Sequence, residues 1–406
     1  VTSHSGLRAI PTDDRAWLLA ALQDALAGGA PVLPVPPGTS DEVVRELLET
    51  PLLEGTALVV RTSGSSGIPK AVALSASALT ASADATHERF GGPGQWLVAL
   101  PTHLISGVQM LVRSARAGID PVFFDGAFDP AALLSAADAM TAERRYVSLV
   151  PVQLSRLLDL AAADADAAET LRRFDAVLVG GQAISVAMRQ RCHELGVALK
   201  RSYGMTETAG GCVYDGVEIG ETRVRIRDGE VQLAGPTLAL GYLGDPQLTA
   251  ARFVTETGRD GVPTRWYRTG DAGELLGGML TVTGRLDRVL ISGGVNVSLD
   301  EVERVVRELP GWAGAVALAA PHPEWGERVT LVVELGGDDE RADFAAVREA
   351  VRATLGAAAV PEWVTETEAI PRLAGGKPDL AALGEWIGRV RDSFRETRRA
   401  AGEEQA

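Results

Sequence analysis

Residues that can hold a phosphate crowd into one short loop. The stretch RTSGSSGIPKAVAL, Arg61 to Leu74, gathers Thr62, Ser63, Ser65 and Ser66 around Gly64 and Gly67 and reaches Lys70, all between two apolar runs. Glycines let such a backbone turn tightly with its amides exposed, hydroxyls add donors and the ammonium adds charge, so the set suits a polyphosphate. It is not a Walker A loop, which has a longer gap between its glycines and a hydroxyl residue after the lysine. Here only Ser65 and Ser66 separate Gly64 from Gly67, and Ala71 follows Lys70. The competing reading is a flexible Gly/Ser linker, against which Pro69 and the flanking apolar runs count.

Two further constellations carry chemistry. In RSYGMTETAGG, Arg201 to Gly211, Glu207 could hold a magnesium ion against phosphate oxygens, Thr206 could donate to one of them, and Tyr203 offers a flat face to a base. Taken alone, the stretch also reads as a glycine-rich turn. In YRTGD, Asp271 could accept from the two hydroxyls of a ribose, or simply cap a turn after Gly270. Lysine usage adds a third pointer: of 39 basic residues only Lys70, Lys200 and Lys377 are lysine. A chain this biased to arginine keeps lysine where a compact ammonium is needed. Lys70 closes the loop and Lys377 stands in PRLAGGKPDL, whereas Lys200 lies in an ordinary strand-like run.

These residues need a frame to position them. A length of 406 residues suits two or three domains at roughly 150 residues each. TALVVRTSG reads as a buried strand entering the loop and SASALTASADATHERF as the helix after it. Apolar strand-like runs recur at QWLVALP, DPVFFD, RYVSLVP and DAVLVGG, with helical stretches such as PVQLSRLLDLAAADADA and AISVAMRQRCHELG between them. That alternation predicts an α/β fold with a mainly parallel sheet. Near residue 220 the runs become short, β-branched and punctuated by Asp-Gly and Gly-Gly, as in hairpins. The fold expected is a large N-terminal α/β domain with layered sheets over 1–285, its β-rich subdomain at about 218–285. A small separate α+β C-terminal domain over 286–385 and a charged tail over 386–406 complete it.

Composition bounds the partners. A net charge of -15 argues against nucleic acid or an anionic membrane surface. Cys192 and Cys212 have no companions at zinc-site spacing and read as reduced thiols of a cytoplasmic protein. No secretory signal or run of about 18 apolar residues is seen. A small-molecule partner is expected, and a homo-oligomer is compatible with the sequence.

In their order and separation, TSGSSGIPK, GGQAI, YGMTE, YRTGD, GRLDRVLISGGVNV and GGK resemble the core motifs of the adenylate-forming acyl- and aryl-CoA synthetases, over nearly the whole chain from Thr62 to Lys377. Six ordered motifs are far more specific than one loop. The resemblance implies ATP, Mg2+ and coenzyme A as cofactors and an acyl-adenylate as intermediate. Carried over by position, it implies that Thr62 to Lys70 close on the β- and γ-phosphates, Glu207 holds magnesium and Thr206 touches the α-phosphate. Gly181, Gln182, Ser202, Tyr203 and Gly204 would line the adenine, with Asp271 and Arg285 on the ribose. Lys377 would reach the α-phosphate and substrate carboxylate. Asp287 would be the hinge about which the C-terminal domain swings, bringing Ser292, Gly293 and Gly294 toward the thioester tunnel.

Among these enzymes, VSLVPVQLSRLL, SGVQMLVRS and TAGGCVYDG are similar to the short o-succinylbenzoate-CoA ligases of menaquinone biosynthesis. That substrate keeps one unreacted carboxylate, which needs a cation or donors in an otherwise apolar pocket. Arg113 is the candidate cation, the alternative being a surface arginine on a helix; Gly210, Gly211 and Val213 would shape the floor for the ring. The family often places histidine three residues before the glycine of this segment. Leu104 stands there instead and His103 one earlier, so a gating role is open for both.

Overall fold

The computed structural model describes residues 6–62, 70–258, 261–334, 342–373 and 376–400. They form two compact units that part between Val282 and Thr283.

The first unit is built from two covered sheets and a β-rich part. One sheet runs in the order Arg8–Pro11, Val32–Val35, Thr56–Thr62, Lys70–Ser75, Gly241–Tyr242. Its first three strands are parallel and the last two antiparallel. The other has seven strands, in the order Val217–Glu218, Gly210–Tyr214, Leu199–Met205, Ala176–Val179, Arg145–Leu149, Gln95–Val98, Val122–Phe123. From Leu199–Met205 onward they are parallel. Helices Arg15–Leu26, Ala76–Arg89 and Ile105–Ala117 join both sheets in one core, with Leu58, Val60, Val72 and Leu74 from the first and Trp96, Val98, Tyr146 and Leu178 from the second. Alternate residues of the same strands, Leu97, Val147, Val177 and Val179, face a second core against helices Pro130–Ala137, Pro151–Ala163 and Ala165–Arg172. Apolar surface on both faces is why these strands read as unbroken hydrophobic runs. The helices start where their caps dictate: Asp14 accepts from the Trp17 amide and Ser75 from the Ala78 amide.

Two local expectations change. The helix after the phosphate loop is preceded by strand Lys70–Ser75, so the loop joins an antiparallel pair rather than a strand and a helix. YRTGD is not a turn but the middle of the long strand Pro263–Leu276, with Gly270 at φ 75°. That strand pairs with Glu230–Ala234 and Phe253–Thr257, and Arg223–Arg227 closes one edge. The Asp-Gly hairpin forms as read: Asp228 and Gly229 take φ 53° and 77°, the doubly positive turn that matches strand twist.

The second unit has a sheet in the order Val295–Ser298, Val289–Ser292, Gly326–Glu334, Val316–His322, with Trp363–Thr367 parallel to Gly326–Glu334. Helices Leu299–Arg307 and Phe344–Leu355 pack Val302, Val306, Val347 and Val351 on it. The last helix, Leu380–Ala400, crosses position 386, where the sequence suggests that a separate tail begins. Among the described residues no helix is long and apolar enough to cross a membrane.

Candidate active site

The two ends of the phosphate loop are cross-strand partners, Thr62 opposite Lys70. The pairing fixes where the loop leaves and re-enters the sheet. Ser63, Gly64, Ser65, Ser66 and Gly67 lie outside the described residues. The Lys70 ammonium stands 5.9 Å from the centroid of the Tyr242 ring, at the edge of cation–π reach.

The residues expected around the adenine sit on adjoining strand ends at the carboxyl edge of the parallel sheet, where α/β sheets bind ligands. Strand Ala176–Val179 leads into Gly180, Gly181 and Gln182, and Val179 pairs with Arg201, one residue before Ser202. A Cβ on Gly180 would lie 3.1 Å from the Ser202 carbonyl, a tight contact that glycine relieves where the two motifs approach. Beyond Tyr203, Gly204 faces Gly211 across an antiparallel pair. A Cβ on Gly204 would be 2.2 Å from the Gly210 carbonyl oxygen, and one on Gly211 would be 2.2 Å from Ser202 Oγ. The glycines permit a close strand approach directly beside the Thr206–Thr208 turn.

That turn is a single 3-10 turn closed by Thr208, whose hydroxyl accepts from the Met205 amide and donates to the Gly210 carbonyl, with Ala209 left-handed at φ 51°. Thr206 is buried and Glu207 half-buried. The Tyr242 hydroxyl donates to Glu207 Oε1 at 2.8 Å, and Tyr267 Oη is 3.3 Å from Tyr242 Oη. Burial, then the Glu207 charge, raise both phenols above their ordinary range. Glu207 Oε2 has no hydrogen-bond partner among the described residues. No cluster of three metal-ligating side chains occurs there either. A half-buried carboxylate on a turn tied to the strand that begins at Lys70 fits magnesium, which keeps water and substrate phosphates as most of its ligands, better than a cation needing a protein cage.

Asp271, expected to face a ribose, is 7% exposed and accepts from the Tyr203 hydroxyl at 2.7 Å. Two motifs 68 residues apart therefore meet. Burial and the adjacent carboxylate raise the Tyr203 phenol well above its usual range, so it remains a donor.

The acyl-site candidates separate. Gly210 lies beside Gln109 and Ile105 of helix Ile105–Ala117, as a Cβ there would meet Gln109 at 3.3 Å. The Gln109 amide and the Ser82 hydroxyl both donate to the Ala209 carbonyl. Val213 is not on that face: it packs in a core with Cys212, Val231, Leu233 and Leu280. Arg113 is not a surface arginine, and its buried Nε has no hydrogen-bond partner among the described residues. It is 2% exposed, with its guanidinium carbon 4.8 Å from the Trp96 ring centroid and Nη2 donating to Tyr214 Oη at 3.3 Å. Leu104 occupies the N-cap of the helix, and His103 is half-buried, with burial lowering its pKa.

In the second unit, Ser292, Gly293 and Gly294 form the turn between Val289–Ser292 and Val295–Ser298, the glycines at φ 57° and 83°. Ser292 is buried, its hydroxyl accepting from Arg328. Arg285 and Asp287 form a two-pronged ion pair, Nε to Oδ1 at 3.0 Å and Nη2 to Oδ2 at 2.9 Å. Lys377 is exposed, and its carbonyl accepts from the Leu373 amide at 2.8 Å.

Tyr242 belongs to no motif that the sequence singles out, and Tyr267 opens YRTGD, where the sequence reading rests on Asp271 alone. Scarcity is the signal that points to them: the chain has five tyrosines and none is exposed.

The family profile described as AMP-binding enzyme matches residues 39–243, and that described as AMP-binding enzyme C-terminal domain matches residues 301–377. A Mycobacterium tuberculosis protein named "Probable 2-succinylbenzoate–CoA ligase" is 37% identical over 379 residues, covering 91% of this chain and 94% of that protein. The 2-succinylbenzoate–CoA ligase of Listeria monocytogenes is 32% identical over 348 residues, covering 82% of this chain and 70% of that protein. Among solved structures, an Escherichia coli MenE variant with bound OSB-AMS is 28% identical with a TM-score of 0.72, over 95% of this chain and 88% of that one.

Proposed function

The chain belongs to the AMP-binding enzyme family, and from that premise we propose that it is an AMP-forming carboxylate–CoA ligase joining o-succinylbenzoate to CoA with ATP in menaquinone biosynthesis. The observation that carries the reading is the meeting of Tyr203 with Asp271 and of Glu207 with Tyr242 around one strand end beside the Thr62–Lys70 hairpin.

In the first half-reaction a substrate carboxylate oxygen attacks the α-phosphorus of ATP, the bond to the bridging oxygen breaks, and pyrophosphate leaves. In the second, the CoA sulfur attacks the acyl carbon, the bond to AMP oxygen breaks, and the thiol proton passes to solvent. Neither step needs a protein nucleophile; both need positioning and charge neutralisation. Lys70 and Thr62 hold the terminal phosphates, and Thr206 donates to the α-phosphate. Tyr203 covers the adenine while its hydroxyl fixes Asp271 for the ribose hydroxyls. Magnesium bound at Glu207 supplies neutralisation of phosphate charge. Lys377 delivers an ammonium to the α-phosphate and the incoming carboxylate during adenylation. Rotation at Asp287 then withdraws it and brings the Ser292–Gly294 turn to the thioester step, so that one cavity serves two reactions. A reaction that draws on ATP and CoA belongs in the cytoplasm.

The test is CoA-dependent AMP release from ATP-Mg with o-succinylbenzoate beside benzoate, a medium-chain fatty acid and an amino acid. Preference for o-succinylbenzoate is the expected result. Release with another acid alone would keep the ligase and discard the substrate, and acceptance of a carrier-protein thiol in place of free CoA would discard the acceptor.

A further inference from the structure

The segment Ala239–Leu243 ties the Glu207 turn to the strand that begins at Lys70. The Ala239 amide donates to the Glu207 carbonyl at 2.8 Å, and the Leu240 and Leu243 amides donate to the Ala73 and Ala71 carbonyls, each at 2.8 Å. Arg265 holds the segment from behind, donating to the Ala239 and Leu240 carbonyls at 2.6 and 2.8 Å. Gly241 is obligatory, because a Cβ there would lie 2.6 Å from Thr249 Cγ2. The Tyr242 amide donates to Thr249 Oγ1 at 2.9 Å. The Tyr242 ring is thus fixed from its own backbone before its hydroxyl touches anything.

Counting protons then settles the direction of the hydroxyl chain. Each phenol has one hydrogen. That of Tyr242 goes to Glu207 Oε1, which leaves its oxygen to accept from Tyr267. The carboxylate is held through Oε1 by the Tyr242 hydroxyl, itself backed by Tyr267, which leaves Oε2 for another partner.

We infer that Tyr242, backed by Tyr267, is a positioning residue that orients the Glu207 carboxylate so that Oε2 is presented to the cation, and that it registers this carboxylate against Lys70 through the shared segment Ala239–Leu243. The inference rests on the ligase reading above, in which Glu207 holds magnesium. Carboxylate ligands depend on such outer hydrogen bonds for their orientation.

The full-length protein is titrated with Mn2+ in the presence of a non-hydrolysable α,β-methylene ATP analogue, free metal being read by electron paramagnetic resonance. Tyr242→Phe keeps the ring and the Lys70 contact but removes the donor, and is expected to weaken Mn2+ binding about tenfold. Tyr267→Phe, which removes only the outer donor, shifts it the same way by less and supplies the answer should Tyr242→Phe fail to fold. Glu207→Gln weakens it at least as much as Tyr242→Phe. Wild-type Mn2+ affinity in both tyrosine variants, with Glu207→Gln impaired, overturns the inference and marks the tyrosines as packing residues. Wild-type affinity in Glu207→Gln overturns instead the assignment of the cation to Glu207.

Discussion

At the scale of single residues, the chemistry rests on a few side chains that this composition uses sparingly. With only three lysines in the chain, Lys70 and Lys377 stand out from the sequence alone. Lys377 is exposed, as the engagement and withdrawal proposed for it require. Lys377→Ala is expected to slow adenylation, read as ATP–pyrophosphate exchange, by about a hundredfold or more, while thioester formation from supplied acyl-adenylate is affected far less. Equal losses in both half-reactions would remove its assigned role. The five tyrosines are nearly as scarce, yet beyond Tyr203 the sequence does not disclose their roles, because their meaning is relational. Tyr242 and Glu207 are 35 residues apart, and they meet through the pairing of Gly241–Tyr242 with Lys70–Ser75 and the Ala239 amide on the Glu207 carbonyl. Arg113, for which the sequence leaves open a ligand cation or a surface arginine, is buried against Trp96 and Tyr214.

At the scale of elements, most helices and parallel strands are visible in the sequence because hydrophobic periodicity reports burial directly. What periodicity misses are places where glycine serves closeness rather than turning. Gly270 suggests a turn at YRTGD, yet it lies inside a long strand. Gly204 and Gly211 read as turn formers, yet they oppose each other so that two backbones can approach. Gly204→Ala therefore sets a methyl 2.2 Å from the Gly210 carbonyl oxygen. The expected cost is roughly 1–3 kcal/mol of stability. The shift would push apart the strands on either side of Tyr203, raising the KM for ATP along with the loss in urea unfolding. Unfolding like wild type would show that the pair can relax without strain.

At the scale of the whole molecule, the chain divides between Val282 and Thr283, a little before the Arg285–Asp287 position read from the motifs. Stability of the larger unit is linked to pH through His87, which is 8% exposed and has its pKa lowered to about 4 by burial and by the Arg113 charge. Its folded pKa lies below the unfolded value of about 6.5, so the folded state resists a proton that the unfolded chain accepts. This contribution is intact above about pH 6.5 and is lost as the pH falls toward about 4, amounting to a few kcal/mol. His87→Gln should flatten the acid limb of the stability curve across that window in denaturant titrations, and an unchanged limb would place the proton uptake elsewhere.

Both cysteines are buried, Cys192 at 1% and Cys212 at 0% exposure, with burial pushing their thiols up to about 11 and about 12. They lie in the core of the larger unit and are poor nucleophiles at neutral pH. The native chain is therefore a silent background for thiol labelling. A single cysteine introduced on the surface of each unit can carry a fluorophore or spin label without first deleting the native ones, so distance spectroscopy can follow the C-terminal unit through a catalytic cycle in otherwise unaltered protein.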